Sequence, residues 1–280
     1  MAISASDVKK LRDITGAGMM DCKKALNDAN GDMAQAEKIL KEMGLAAVAK
    51  RQDRATENGR VFTYVAGNKA VLLELSCETD FVAKNDQFKE LGEKMCKVIV
   101  EKGYTEINDD LKGMVAGLIA IIKENMSVKR FTVIDIPANG YASTYVHGEG
   151  SVAVCVVFTS DNAAAFENEQ VKEFTHDCAL HVAAFKPQFL NTESVSKEYE
   201  AEQLSIFQAQ VASMDKPAKV LEGIVRGKLN KLYSEVCFLN QPFVKDDSMS
   251  VSKKMAEVGK AAGAKLDIVS CDYYQAGVQA

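Results

Sequence analysis

The first 45 residues place apolar side chains three or four positions apart in three short runs, and this spacing predicts three helices. Ser4 stands at capping-box distance from Asp7 and should begin the first helix. A turn with two glycines, Thr15 to Gly18, should end it. The residues expected in the small core of these helices are Val8, Leu11, Ile14, Ala36, Ile39, Leu40 and Met43.

The second helix is predicted from Met19 to Ala29, and the third should follow Asp32 as its N-cap. Adjacent methionines, Met19 and Met20, point about 100° apart on a helix, so one should be buried and the other exposed. Exposed methionine is common at docking surfaces. We therefore interpret residues 1–45 as a three-helix docking module, and residues 46–57 as a linker or a continuation of the third helix.

Alternating apolar positions predict a hairpin from Val61 to Ser76 that turns at Gly67-Asn68. The segment around its first strand, Asn58 to Gly67, has a close copy further along the chain, at Asn139 to Gly148. The other elements expected in the two copies are helices at 86–102 and 109–126, strands at 129–136, 141–146 and 152–158, and a helix through 171–174. The duplication predicts two related α/β subdomains, residues 58–138 and 139–280, with small antiparallel sheets.

Phe81 is a large aromatic that follows an apolar strand where the chain should turn outward. Leaving it in water forgoes roughly 2–3 kcal/mol of burial, so either its own core or a partner should cover it. If the offset from Asn58 to Asn139 stays constant, Asp80 corresponds to Asp161 and Phe81 to Asn162. Because the second copy has no aromatic there, the shared fold does not require one, which favours a partner.

Residues 194–236 predict two helices that meet at a turn from Met214 to Pro217. Such a helical hairpin could project as an antiparallel coiled coil. Residues 251–280 predict one further helix and a strand that returns to a sheet. The predicted fold class is α+β.

The composition limits the possible functions. The formal net charge of −5 argues against broad nucleic-acid binding. No apolar run approaches the ~18 residues of a membrane span, and no secretory signal is present. The seven cysteines occur singly, as expected for thiols in a reducing cytoplasm.

Enzyme chemistry finds little support in the pattern. Among the three histidines, His147, His176 and His181, the last two lie five positions apart on a helix and make a poor metal pair. Cys178 lies near both but lacks an oxyanion element. The glycines at 16 and 18 do not have P-loop spacing. We expect no active site, no metal and no cofactor.

Two segments resemble signatures of the elongation factor Ts family. Thr15 to Leu26 resembles its N-terminal signature, and Thr79 to Lys84 resembles its second signature. The separation of the two motifs, the duplication and the helical hairpin agree with this resemblance, which spans essentially the whole chain. The length and the absence of a transit peptide favour a bacterial member.

The resemblance implies a cytoplasmic guanine nucleotide exchange factor for elongation factor Tu, without covalent chemistry of its own. Such a factor binds the GDP-bound and nucleotide-free partner, disrupts its magnesium and phosphate site, and stabilises the nucleotide-free form until GTP binds. It also implies that residues 1–45 are similar to a ubiquitin-associated domain. No direct nucleic-acid or membrane contact is expected, while self-association through the second subdomain or the helical hairpin is possible.

Carried over position by position, the resemblance implies three sets of partner contacts. The N-terminal set is Arg12, Met19, Met20 and Lys23; the set beside the partner's magnesium site is Thr79, Asp80, Phe81 and Val82; and the second subdomain contributes His147. Asp80 could accept a hydrogen bond from displaced backbone or repel the phosphate and magnesium. The segment after His147-Gly148 departs from the family pattern.

Two other classes of function stay open at this point. An adaptor built around residues 1–45 would tether proteins without changing nucleotide release. A cysteine enzyme would use Cys178 or Cys77 as a reactive thiol.

Overall fold

The structure is a computed structural model that describes residues 3–278, except for the side chains of Leu45 and Ala47. The outermost two residues of the predicted units 1–45 and 251–280 lie outside the described residues. Contacts group the chain into two units. The first contains the chain up to Ile134, the segment Val146–Ala153 and the chain from Tyr274 onward; the second contains Asp135–Tyr145 and Val154–Tyr273.

The three predicted N-terminal helices are present in the first unit. They are α1 (Ala5–Thr15), α2 (Met19–Asp28) and α3 (Met33–Ala49). Ser4 and Asp7 form the expected capping box, and Asp32 caps α3 by accepting a hydrogen bond from the Gln35 N–H. Because α3 runs to Ala49, the first part of the predicted linker continues the third helix.

The core of this three-helix module differs from the prediction at Ile14. The buried residues are Val8, Leu11, Cys22, Ala25, Leu26, Ala29, Ala36 and Leu40. Ile14 is 59% exposed. A three-residue spacing drifts by about 60° per step around a helix, so Ile14 points about 120° away from Val8. Placing Ile14 in the core was therefore wrong.

A three-stranded sheet lies in the first unit, in the order β1-β2-β3. Its strands are β1 (Asn58–Ala66), β2 (Lys69–Cys77) and β3 (Met126–Asp135), and its helices are α4 (Asp80–Ala83), α5 (Asp86–Lys102) and α6 (Asp109–Ile122). β1 and β2 pair antiparallel around the predicted turn at Gly67-Asn68. Helix α6 ends four residues earlier than predicted because Lys123, at φ 66°, adopts the left-handed conformation.

The second copy also begins with two strands followed by helices and ends with a strand, but it has further elements before that last strand. It contains β4 (Gly140–His147), β5 (Val152–Ser160), α7 (Glu169–Phe185), α8 (Lys197–Val211), α9 (Ala218–Val236), β6 (Pro242–Phe243), β7 (Asp246–Ser250), α10 (Val251–Ala261) and β8 (Leu266–Gln275). The sheet order is β4-β5-β8. The third strand of each sheet thus lies beside the second strand of its hairpin. The short antiparallel pair β6 and β7 was not predicted.

The offset between the copies is not constant, and this corrects the alignment at Phe81. Beyond the hairpin turn the offset grows by two positions: β2 begins at Lys69 and β5 at Val152, and the matching helices α5 and α7 keep this larger offset. The second hairpin turns through a 3-10 segment, Gly148–Gly150, which accommodates the two extra residues. Phe81 therefore corresponds to Ala164 rather than Asn162, and Asp80 to Ala163 rather than Asp161.

Close packing of two glycines supports the corrected register. A side chain at Gly59 would meet the Leu75 carbonyl, and one at Gly140 would meet the Phe158 carbonyl. The separation in sequence between Gly59 and Gly140 equals that between the first strands of the two copies. The separation between Leu75 and Phe158 is two positions larger, as it is for β2 and β5. The conclusion that the shared fold needs no aromatic at position 81 survives, because Ala164 takes its place.

A buried ion pair holds Tyr274 and Gly277 within the first unit. Glu74 is 2% exposed, and its Oε2 lies 2.8 Å from Arg130 Nε. Its Oε1 accepts a hydrogen bond of 2.9 Å from the Gly277 N–H. The guanidinium of Arg130 also packs over the Tyr274 ring, 4.2 Å from its centroid. This cluster joins β2 and β3 to Tyr274 and Gly277.

The predicted helical hairpin is formed by α8 and α9. At its base the chain enters and leaves side by side, since Phe189 and Cys237 form a β-bridge. Along the two helices, only Val211 and Val236 are buried. The hairpin therefore has a thin core, and several of its apolar side chains are open to solvent.

Candidate partner-binding surface

Phe81 projects from a short, firmly anchored turn. It is 80% exposed, at the second position of the four-residue helix α4. The next two residues, Val82 and Ala83, are buried in the core beneath β1 and β2. The alternative that Phe81 folds back onto its own core is therefore wrong. Of the four residues predicted to bind a partner at this turn, Val82 packs in the core and Phe81 faces solvent.

Glu124 holds the start of this turn, and sequence reasoning missed it. One carboxylate oxygen accepts a hydrogen bond of 3.1 Å from the Thr79 N–H, and the other accepts one of 2.8 Å from the Thr79 hydroxyl. The Cys77 thiol donates to the Thr79 carbonyl at 3.1 Å. The backbone that carries Phe81 is thus fixed on both sides of Thr79. No local pattern could reveal Glu124, because it lies 45 residues further along the chain.

Asp80 is exposed and forms an ion pair. Its Oδ2 lies 2.9 Å from Lys84 Nζ, one helical turn further on. The hydrogen bond from Lys84, followed by its charge, lowers the pKa of Asp80, and the same contacts raise the pKa of Lys84. Asp80 is therefore a carboxylate at neutral pH with its charge partly offset. The i,i+4 spacing of opposite charges was a signal available in the sequence.

The residues of the N-terminal set are all exposed on the three-helix module. Arg12 and Lys23 are exposed, Met19 is 41% exposed and Met20 is 75% exposed. The expectation that one methionine is buried was wrong, because the buried face of α2 consists of Cys22, Ala25 and Leu26. Both methionines are thus available for contact.

His147 is exposed and precedes the tip of the second hairpin. The tip is closed by hydrogen bonds from the Ser151 N–H to the His147 and Gly148 carbonyls, of 3.0 and 3.1 Å. By its contacts this tip belongs to the first unit, as do Phe81 and the three-helix module. All three predicted contact sets therefore lie in one unit.

His181, Cys77 and Cys178 are all buried. His181 is fully buried and shares a hydrogen bond of 2.9 Å with the Gln241 side-chain oxygen. Burial raises the pKa of the Cys77 thiol to about 12 and that of Cys178 well above its usual value. Buried, protonated thiols are poor nucleophiles, which disfavours a cysteine enzyme at either position. Within residues 3–278, no group of three or more candidate ligands could hold a metal ion.

His181 should make the stability of the second unit depend on pH. Burial lowers its pKa from the ordinary 6.5, against a smaller opposing effect of the bond to Gln241. Below pH 6.5 the unfolded chain therefore binds more protons than the folded one, and the free energy of unfolding falls as the pH is lowered. We expect denaturant unfolding at pH 7.5 and 5.5 to show this loss, and His181→Gln to reduce it. An unchanged pH dependence in that variant would contradict the assignment, and His176→Gln, on the exposed side of α7, is the matched control.

An exposed aromatic on an anchored turn and exposed methionines on a small helical module are typical of a surface that binds another macromolecule. None of the helices in the described part of the chain is both long and apolar enough to cross a membrane. Comparisons with known proteins identify the family. The family model for elongation factor TS matches residues 78–278.

Full-length relatives agree with that match. Elongation factor Ts of Treponema denticola is 49% identical over 278 residues, which cover 99% of both chains. Elongation factor Ts of Treponema pallidum is 48% identical over the whole of both chains. That of Borrelia recurrentis is 42% identical, over 99% of this chain and 100% of its own. The chain belongs to the elongation factor Ts family, a family of translation elongation factors.

Proposed function

We propose that this chain is the guanine nucleotide exchange factor for elongation factor Tu and works in the cytoplasm. It binds the GDP form, releases GDP and holds the nucleotide-free form until GTP binds. Family membership supports the partner, and the single observation that carries the mechanism is the exposure of Phe81 on an anchored turn. A binding mechanism of this kind needs no covalent chemistry.

Thermodynamic linkage explains how binding alone releases a nucleotide. A protein that binds the empty GTPase more tightly than the GDP form weakens GDP binding by the same factor. Phe81 supplies apolar surface that becomes buried only when the partner's helices separate beside its magnesium site. Because the hydrogen bonds of Thr79 already hold the turn, little ordering entropy is lost when Phe81 inserts.

The test is the rate of GDP release from elongation factor Tu loaded with fluorescent GDP, measured by stopped flow. Adding this chain should increase that rate in a saturable manner. A saturable complex with an unchanged release rate would contradict exchange and support the adaptor built around residues 1–45. An absence of any complex would contradict both.

Asp80 is proposed to accept a hydrogen bond from displaced partner backbone. Lys84 lies 2.9 Å away and offsets its charge, which weakens any repulsion of phosphate. We expect Asp80→Asn, which keeps an acceptor oxygen, to retain most of the stimulation, whereas Asp80→Ala loses about tenfold. The readout is the maximal rate of GDP release. Equal loss in both variants would instead assign the role to the charge.

The other two contact sets are proposed to supply affinity. Arg12, Met19, Met20 and Lys23 are exposed and combine apolar and basic groups, and His147 offers a further polar contact. These residues should determine how much protein gives the half-maximal rate, whereas Phe81 determines the maximal rate.

The helical hairpin is proposed to contact a further macromolecule or a second copy of the chain. Its exposed apolar residues are Ile206, Met214 and Val220. Because Phe189 and Cys237 lie side by side at its base, residues 194–236 can be replaced by a short linker. If sedimentation and ternary-complex formation are unchanged in that deletion, the hairpin has no such contact.

A further inference from the structure

Arg60 lies between the two parts of the first unit that carry Phe81 and His147. It is a half-buried residue of β1, opposite Leu75 of β2. Its Nη1 donates a hydrogen bond of 3.4 Å to the carbonyl of Ala83, the last residue of α4. The guanidinium therefore supports the end of the turn that Glu124 does not reach.

The other side of the same guanidinium meets the tip of the second hairpin, residues 147–151. Gly150 has φ +95°, and a methyl group added there would come within 2.8 Å of Arg60 Nε. The backbone of the tip is thus packed directly on Arg60, at a distance that only glycine permits. Arg60 Nε is buried and has no hydrogen-bond partner among the described residues. Desolvating such a donor without a partner costs free energy.

Charges at the surface connect the same two segments. Lys84, paired with Asp80, also feels the negative charge of Glu149 in the tip, which adds to the effect of Asp80 in raising the pKa of Lys84. Glu149 itself adopts φ 55°, a left-handed conformation that is uncommon for a residue with a side chain. The hairpin tip thus contains both a negative charge that acts on Lys84 and a strained backbone conformation.

We propose that Arg60 is a positioning residue that joins the Phe81 turn to the hairpin tip 147–151, so that the two segments form one rigid surface toward the partner. The proposal rests on the proposed exchange function, because only that function makes this surface a partner-binding surface. Arg60 does not reach the partner; it holds Ala83 on one side and Gly150 on the other. Neither Arg60 nor Gly150 lies within the two signature segments, so the proposal adds both to the residues that determine exchange.

The functional test uses full-length Arg60→Met, which keeps much of the packing volume but removes the guanidinium. We expect the maximal rate of GDP release to fall about tenfold, because a smaller fraction of the molecules then holds Phe81 in the inserting position. Arg60→Lys should not restore the rate, since a single ammonium lacks the planar fork. Lys94→Met, at an exposed position of α5, is the control and should retain the full rate. A full rate in Arg60→Met would overturn the proposal.

A second readout does not depend on the partner. Amide hydrogen exchange reports the Ala83 N–H bond to Thr79 O and the Ser151 N–H bond to His147 O. Arg60→Met should accelerate exchange several-fold in both segments, while Lys94→Met accelerates neither. Acceleration in only one segment would contradict the proposal that Arg60 joins the two segments. If the wild-type protein did not increase the rate of GDP release from elongation factor Tu, the proposed function would be rejected. The hydrogen-exchange measurement would still decide whether Arg60 joins the two segments.

If Arg60→Met does not fold, Gly150→Ala tests the same contact between Arg60 and the hairpin tip by changing the tip instead. The added methyl group would press on Arg60 Nε and is strained at φ +95°. It should lower the maximal rate and loosen the Phe81 turn, although position 150 is distant in sequence from position 81. Loosening confined to the tip would overturn the proposal.

Discussion

Replacing Phe81 by alanine should slow the stimulated release of GDP from elongation factor Tu by about 100- to 1000-fold. The change removes a side chain whose burial in a partner is worth about 3–4 kcal/mol, and each 1.4 kcal/mol corresponds to a factor of ten. The measurement is the maximal stopped-flow rate at saturating concentrations of the variant. Binding of the GDP form should be affected far less, because Phe81 becomes buried only when the partner's helices have separated.

Because Phe81 is exposed, the experiment separates an effect on GDP release from an effect on folding. At 80% exposure in the free protein, its truncation should leave the free energy of unfolding nearly unchanged. Val269→Ala, at another exposed apolar position with 45% exposure, is the matched control and should keep the wild-type rate. If Phe81→Ala released GDP at the wild-type rate, the aromatic would have no part in the mechanism.

Replacing Arg130 by methionine should destabilise the protein by about 3 kcal/mol. The change leaves the Glu74 carboxylate, which is 2% exposed, without its cation, and removing one partner of a buried pair typically costs about 3–5 kcal/mol. The lower end applies because the Arg130 side chain is still 25% exposed. Equilibrium unfolding in urea measures the loss. The contacts at Gly277 and Tyr274 should loosen with it, which increases proteolysis of the chain end.

Two further variants isolate the buried charge as the cause. Lys172→Met removes a surface pair with Glu169, where Nζ and Oε1 are 3.1 Å apart, and should change stability little. The double replacement Glu74→Leu with Arg130→Met should recover much of the loss, because neither member is then left charged and unpaired. A double variant no more stable than Arg130→Met would show that packing, not charge, explains the effect.

Local pattern predicted most elements of this fold. The capping box at Ser4, the cap at Asp32 and the turn at Gly67-Asn68 depend on neighbours a few positions away, so the sequence contains all the required information. The errors arose where a pattern was extended too far. Ile14 continued a three-residue spacing beyond the buried face of its helix. The constant offset took no account of two extra residues in the turn of the second hairpin.

The corrected offset was within reach of the sequence. Asn85 and Asn168 are both N-caps, at the start of α5 and α7, and they have the same offset as the starts of β2 and β5. An alignment anchored on these caps rather than on the first strand would have set Ala164 against Phe81. The anchor matters because insertions accumulate in turns, where neither packing nor pairing constrains the length.

The sequence by itself determined the order of the elements, the family and the candidate wedge Phe81, because periodicity and signatures are properties of neighbouring residues. Only the tertiary structure decided that Phe81 faces outward, and which groups hold it there. Glu124 supports the turn from 45 residues away, and Arg60 connects it to Gly150 across a still longer stretch of chain. Hydrogen bonds and close packing act over a few ångströms in space, and distance along the chain does not predict which residues will meet.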